Sequence, residues 1–102
     1  MSAPNLNKIS DNRYAVVGEL NMRTVPAIAR QAGTLLNGPH SDVTIDLSGV
    51  ARADSAGLAL LLDWLRVARR QQYTLRFTNL PEQLMQIAKV SELDEILPVS
   101  HG

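Results

Sequence analysis

Short segments of alternating hydrophobic and polar residues predict four strands along the chain. Ile9–Ser10 and Tyr14–Gly18 are predicted as two short strands joined by a tight polar turn. Val43–Leu47 alternates and is rich in β-branched residues, which is typical of a strand at the centre of a sheet. Tyr73–Phe77 has an apolar side chain at every second position and predicts the last strand.

Apolar residues spaced three and four positions apart predict three helices between and after these strands. The first helix follows Thr24, its predicted N-cap, and ends at the Asn-Gly-Pro segment 37–39. The second and longest helix runs from Ser55 to about Gln71. The third begins within 79–82, and its apolar stripe has four members: Leu84, Ile87, Ala88 and Val90.

The predicted elements follow the order β-β-α-β-α-β-α, with a further short helix at 91–97 and a flexible tail from about 99 to 102. Strands that alternate with helices form a parallel sheet covered by helices, and the initial hairpin makes one edge antiparallel. We therefore predict a single α/β domain over residues 1–102, built on a mixed, mostly parallel sheet of four to five strands. Apolar residues make up 45% of the chain, which is enough for a core without a metal or a disulfide.

Charge and composition exclude several kinds of partner. Ten basic and ten acidic side chains cancel, so no overall charge draws the domain to nucleic acid or to an anionic membrane. The absence of cysteine removes disulfides, thiolate nucleophiles and cysteine-type zinc sites. The longest apolar run, Leu58–Leu62, is far shorter than the roughly 20 residues of a membrane span. Because the N-terminus also lacks a signal-peptide pattern, we expect a cytoplasmic protein without direct membrane insertion.

The turn Asp54-Ser55-Ala56-Gly57 follows a predicted loop, Ser48–Asp54, and opens the longest helix. It lies after a parallel strand, where open α/β sheets usually place their sites. Ser55 is predicted as the N-cap, whose hydroxyl accepts a hydrogen bond from the first helical turn. A phosphate on Ser55 would meet the positive end of the helix dipole and would add about two negative charges beside Asp54. The spacing alone favours the plain cap, and the phosphorylation site remains the alternative.

The helix after this turn carries two apolar stripes, although a surface helix needs only one. The stripe predicted to face the sheet has five members: Leu58, Leu61, Leu62, Leu65 and Ala68. The second stripe has four: Ala56, Leu60, Trp64 and Val67. Either a neighbouring helix or another protein must cover the second stripe, and Trp64 favours the partner because tryptophan is enriched among interface anchors. The predicted partner-binding residues are therefore Asp54, Ser55, Ala56, Gly57, Leu60, Trp64 and Val67.

No pattern in the sequence indicates catalysis or a metal site. The chain lacks a Gly-rich phosphate loop and a Gly-x-Ser-x-Gly elbow, and its histidines, His40 and His101, fall in a loop and in the tail. Neither histidine is placed to act as a base for Ser55 or to join a metal cluster. A basic cluster is interpreted as a solvated face: Arg66, Arg69, Arg70 and Arg76. We therefore predict a non-enzymatic protein with no catalytic residue, no metal and no cofactor.

Three segments together resemble the STAS family, whose founding members are bacterial anti-sigma-factor antagonists. These segments are Gly18–Leu20, Val43–Ser48 and Asp54–Leu62. They occur in the family's order and at its spacing, and the match covers nearly the whole chain. The resemblance implies the STAS fold and a domain that binds other proteins through the turn and the helix after it.

Two branches of this family remain as alternatives. Segments 58–70, 77–84 and 88–93 are similar to the branch that forms the cytoplasmic subunit of an ABC transporter for phospholipids, which maintains outer-membrane lipid asymmetry in Gram-negative bacteria. That branch implies binding to the transporter's ATPase subunit, and through it to the permease complex at the inner membrane. The other branch implies an anti-sigma-factor kinase as partner, with Ser55 as the phosphorylated residue. Ala56 stands where that second branch more often carries another serine, which favours the transporter branch.

Overall fold

The computed structural model describes residues 4–36 and 40–100, and in it one five-stranded sheet forms the centre of the molecule. The strands lie side by side in chain order: β1 Asn5–Ser10, β2 Arg13–Leu20, β3 Asp42–Ala53, β4 Thr74–Thr78 and β5 Val99–Ser100. β1 is antiparallel to β2, and the other neighbouring strands are parallel. The predicted mixed, mostly parallel sheet is therefore confirmed.

Three α-helices connect the parallel strands: α1 Val25–Leu35, α2 Ser55–Gln71 and α3 Glu82–Val90. Right-handed crossovers between strands in sequential order place connecting helices on the same face of a sheet. Burial agrees with this arrangement, because Val16 and Ile45 are fully buried while their neighbours Ala15 and Thr44 point to the other side and are partly exposed. One face of the sheet therefore carries the core, and the other remains open to solvent.

The open face is held by a polar network centred on Asp46. One carboxylate oxygen of Asp46 accepts hydrogen bonds from Asn79 Nδ2 at 3.0 Å and from the Ser48 backbone N–H at 2.9 Å. The other oxygen lies 3.6 Å from Arg13 Nη2 on β2. Partial burial raises the pKa of the Asp46 carboxyl, but these hydrogen bonds and the Arg13 charge outweigh it, so the pKa lies below its ordinary value. The network links β2 and β3 to the loop after β4.

The segment Ser48–Asp54, predicted as a loop, is instead the second half of β3 up to Ala53, so that prediction is wrong. β4 accompanies β3 only as far as Asp46, whereas β2 continues beside β3 to its end. Gly49 permits the close approach of β2, because a Cβ at this position would lie 2.6 Å from Val17 Cγ1. Pairing with β2 thus overrides a local sequence that is poor in strand formers.

The C-terminal part of the chain also differs from the prediction. Val99 and Ser100 form β5 beside Phe77 and Thr78, so the tail is not loose at these two positions, while 101–102 lie outside the described residues. The short helix expected over 91–97 reduces to a 3₁₀ helix at Asp94–Ile96. On α3, the side chains of Leu84, Ile87 and Ala88 pack as predicted, but Val90 is 86% exposed and does not belong to the stripe.

The connection from β2 to α1 is fixed by Thr24 in a way that the sequence pattern did not anticipate. Thr24 occupies the predicted N-cap position, yet its side chain makes no capping hydrogen bond to the helix. Its hydroxyl donates to the Glu19 carbonyl at 2.6 Å and accepts from the Asn21 N–H at 3.0 Å. This side chain therefore closes the loop before the helix instead of capping it. The predicted end of α1 at 37–39 lies outside the described residues.

Candidate functional site

The N-cap residue of α2, in the turn that follows β3, is Asp54 and not Ser55. Asp54 has an extended backbone, and its Oδ1 accepts a hydrogen bond of 2.8 Å from the Ala56 N–H. Its carbonyl accepts from the Gly57 N–H at 3.0 Å, so the first helical turn begins directly after it. A carboxylate at this position also meets the positive end of the helix dipole. The prediction that Ser55 is the N-cap is wrong by one residue.

Ser55 is the first helical residue and is exposed to solvent. Within residues 4–36 and 40–100, its hydroxyl has no hydrogen-bond partner. Because Asp54 already caps the helix, the Ser55 hydroxyl is free to contact another molecule. The position also allows a phosphate at a helix N-terminus, although the neighbouring Asp54 carboxylate opposes that second negative charge.

Two hydrogen bonds fix the turn to its surroundings. The Asp54 N–H donates to the Leu20 carbonyl at the end of β2, at 3.1 Å, and the Ala53 N–H donates to Gln83 Oε1 on α3, at 2.9 Å. Shallow hollows lie on both sides of these bonds, one of about 190 Å³ next to Asn21 and one of about 430 Å³ along α3. The turn is therefore held from two sides while its outer surface stays accessible.

Gly57, predicted as part of the contact surface, is buried and serves packing instead. A Cβ at this position would lie 3.0 Å from Leu20 Cβ, and 3.4 Å from Ala53 Cβ and from Leu84 Cδ2. The absence of a side chain lets the first turn of α2 approach both the sheet and α3. Of the four turn residues predicted to bind a partner, only Asp54 and Ser55 are exposed, because Gly57 is buried and Ala56 is half-buried.

The second apolar stripe of α2 is covered within the domain, so the prediction that it faces a partner is wrong for Leu60 and Trp64. Both side chains are only 3% exposed and belong to the hydrophobic core. Trp64 lies between α1 and α2, where it lines a cavity of about 120 Å³ together with small residues of α1 that include Ala29 and Ala32. Small residues on α1 were the signal in the sequence, because they leave room for an indole ring. Val67 is half-buried at the edge of the same cavity.

The surface that α2 presents to solvent lies between the two predicted stripes. Its exposed members up to the last turn are Ser55, Ala59, Asp63, Arg66 and Arg70, and together with the half-buried Leu62 at its border we call them the outer face of α2. Leu62 and Leu65 were predicted to face the sheet, but both are only half-buried. The N-terminal half of the outer face, Ser55, Ala59 and Leu62, is uncharged, and the C-terminal half is charged. Neither Ala59 nor Asp63 was among the predicted partner-binding residues.

In the described residues, neither a histidine nor a metal-binding group lies at the turn between β3 and α2. His40, one of the two histidines, lies at the opposite end of the strands, where its ring packs edge-on against Tyr14 and Tyr73. In the described part of the chain, no group of three or more His, Asp or Glu side chains is placed to hold a metal ion. Of the helices described, none combines the length and the apolar character that a membrane crossing requires.

Comparison with known proteins identifies the family to which this arrangement belongs. The family model described as "Mlab, STAS domain" matches residues 10–98. This chain belongs to the MlaB-type STAS family. Its relatives include the intermembrane phospholipid transport system binding protein MlaB of Haemophilus influenzae, which is 35% identical over 81 residues, covering 76% of this chain and 77% of the relative. The fold predicted from the resemblance is confirmed.

Relatives from the other branch of the STAS family are also similar to this chain. The anti-sigma-B factor antagonist of Bacillus subtilis is 25% identical over 91 residues, covering 89% of this chain and 83% of the relative. Among solved structures, unphosphorylated SpoIIAA, an anti-sigma factor antagonist, superposes with a TM-score of 0.74 at 17% identity, over 98% of this chain and 88% of that one. A putative anti-sigma factor antagonist from Thermotoga maritima gives a TM-score of 0.76 at 17% identity, over 97% and 86% of the two chains. Proteins of both branches are accessory or regulatory binding proteins.

Proposed function

We propose that this chain is a non-enzymatic accessory subunit of an ABC transporter that moves phospholipids between the inner and outer membranes. In this function it binds the transporter's ATPase subunit and supports its activity, on the cytoplasmic side of the inner membrane. The 35% identity to an MlaB protein, over most of both chains, is the observation that carries the proposal. Through its ATPase partner the chain would join the permease complex and contribute to lipid asymmetry of the outer membrane.

The contact surface that we propose consists of the turn at Asp54 and Ser55 together with the N-terminal half of the outer face, Ala59 and Leu62. Within the helix, Ser55 and Leu62 are about 11 Å apart along the axis, since each residue adds 1.5 Å. The turn is tied to β2 by a backbone hydrogen bond and to α3 by a hydrogen bond to the Gln83 side chain, so little conformational freedom is lost on binding. Small side chains at Ser55 and Ala59 would let a partner approach the helix backbone closely.

Co-purification with the ATPase subunit tests this proposal. The tagged ATPase subunit would be co-expressed with this chain and with two variants, Ala59→Arg and Thr34→Arg, and each mixture would be analysed by size-exclusion chromatography. Both substitutions add the same side chain at an exposed helical position, but Thr34 lies on α1, away from the proposed surface. We expect Ala59→Arg to weaken binding at least tenfold, about 1.4 kcal/mol, and Thr34→Arg to bind normally.

Equal binding by a folded Ala59→Arg variant would remove the outer face of α2 from the contact. Failure of the unmodified chain to co-elute with the ATPase subunit would contradict the transporter function itself. Circular dichroism of the unmodified chain and of each purified variant shows whether the protein is folded, so that a loss of binding can be told apart from misfolding.

The second candidate function is that of an anti-sigma-factor antagonist controlled by phosphorylation. The 25% identity to the Bacillus subtilis antagonist and the exposed hydroxyl of Ser55 at the start of α2 favour it. The partner would then be an anti-sigma factor with kinase activity, and a phosphate on Ser55 would add about two negative charges to the contact surface. Intact-mass measurement of the protein from its native cells tests this candidate, because the switch requires a phosphorylated fraction under some growth condition.

A further inference from the structure

The free edge of the sheet at β1 is occupied by a side chain from α1. The Leu6 backbone N–H donates to Gln31 Oε1 at 2.7 Å, and Gln31 Nε2 donates to Asn5 Oδ1, also at 2.7 Å. We propose that the Gln31 side chain blocks this edge and thereby prevents a second copy of the chain from pairing with β1. The inference goes beyond the proposed function and does not depend on it.

The direction of the β1 backbone groups follows from its pairing with β2. In an antiparallel pair, residues that bond to the neighbouring strand alternate with residues whose N–H and C=O point away from it. The hydrogen bond from the Leu6 N–H to Gln31 shows that Leu6 points away from β2, and Lys8, two positions further on, points the same way. The outer edge of β1 therefore presents Leu6 and Lys8 to any additional strand.

A second copy of β1 is the strand that fits this edge. Two β1 strands related by a twofold axis at Asn7 run antiparallel, and each places its Leu6 opposite Lys8 of the other. The two residues then exchange their N–H and C=O bonds, which joins two sheets into one. Space for the incoming strand is present, because a hollow of about 470 Å³ lies between β1 and α1. The Gln31 amide is what such a strand would meet at Leu6.

Other features of the two edges also oppose pairing. Lys8 is exposed beside Asp11, with Nζ 3.6 Å from Oδ1, and an edge lysine opposes pairing because its charge must then leave water. The register with β2 is irregular between Lys8 and Ser10, which limits the regular part of β1. The opposite edge strand, β5, has only two residues. Leu6 is therefore the position at which the sheet depends on Gln31.

The same hydrogen bonds also hold α1 against β1, so a loss of stability alone would not identify a blocking function. Gln31→Glu separates the two functions of the side chain. Its carboxylate still accepts from the Leu6 N–H but can no longer donate to Asn5 Oδ1. If the edge is blocked through Leu6, this variant keeps the block, whereas Gln31→Ala loses it.

Hydrogen exchange in the ¹⁵N-labelled full chain tests the bond itself. We expect Gln31→Ala to speed exchange of the Leu6 amide at least about tenfold relative to the amide of Ile45 in the central strand. Gln31→Glu, and Gln86→Ala at an exposed position of α3, should leave that ratio within about twofold. An unchanged Leu6 amide in Gln31→Ala would overturn the proposal at its first step.

Sedimentation equilibrium over about 10–500 µM protein then tests the block. Lys8→Thr/Gln31→Ala should form a dimer whose fraction rises with concentration, and the amide at position 8 should exchange more slowly in that dimer. The parent, Lys8→Thr/Gln31→Glu and the matched control Lys8→Thr/Gln86→Ala should stay monomeric.

Three results would contradict the block. They are a Lys8→Thr/Gln31→Ala variant that stays monomeric over the whole range, equal association of the Gln86 control, and a dimer in which exchange at position 8 is not slowed. Circular dichroism of each variant confirms that association starts from folded protein.

Discussion

Replacement of Trp64 by alanine tests whether its indole packs in the core of the domain or anchors a partner protein. The indole is 3% exposed and fills the space between α1 and α2, so its removal loses the transfer free energy of a large aromatic side chain and enlarges the cavity already present there. Substitutions of this type cost about 3–5 kcal/mol. For a domain of this length, whose total stability is of the order of 5–15 kcal/mol, such a loss is severe.

Urea denaturation followed by circular dichroism at 222 nm measures this loss directly, without depending on tryptophan fluorescence. We expect Trp64→Ala to lower the free energy of unfolding by at least about 3 kcal/mol, and the midpoint of thermal unfolding by more than about 12 °C. Trp64→Phe, which keeps most of the apolar volume, should lose less than half as much. A Trp64→Ala variant that stays within about 1 kcal/mol of the parent, but no longer binds its partner, would refute the internal packing of this residue.

Three further predictions concern the turn, the open face and the packing of α2. Asp54→Ala removes the N-cap and should cost about 1 kcal/mol in chemical denaturation, whereas Asp54→Asn, which can still cap, should cost little. Because the pKa of Asp46 lies below its ordinary value of 3.8, its charge stabilises the folded state above that pH, and the stabilisation is lost as the pH falls through the lowered pKa. The free energies of unfolding of the parent and Asp46→Asn, measured across pH 2–7, should therefore differ most above about pH 4 and converge in acid. Gly57→Val should destabilise the domain by about 1–3 kcal/mol through overpacking against Leu20, and an unchanged melting temperature would contradict that close contact.

The sequence predicted the architecture well where local pattern and tertiary structure agree. The strand at 43–47 and the helix at 55–71 combine strong periodicity with clear flanking signals, and both are present within β3 and α2. The second half of β3 was missed because all of its residues except Val50 are polar, alanine or glycine. Its strand conformation comes from pairing with β2, which no local pattern reveals.

The candidate site was less predictable, for two physical reasons. Asp54 and Ser55 are both good helix caps, so the sequence could not show which of them occupies the cap position. The helical periodicity identified two apolar stripes on α2 but could not show that α1 covers Leu60 and Trp64. That coverage depends on small residues of α1, Ala29 and Ala32, which line the cavity beside the indole. The surface of α2 that a partner could contact is therefore the outer face, which begins at Ser55, and not the predicted stripe that contains Trp64.

Hydrogen–deuterium exchange of this chain alone and in complex with the ATPase subunit tests the central claim most directly. We expect slower exchange on binding in peptides that cover 54–63, the turn and the N-terminal half of α2, with little change in β1 or on the open face of the sheet. Protection confined to β1 and the open face, or no change at saturating ATPase subunit, would contradict it.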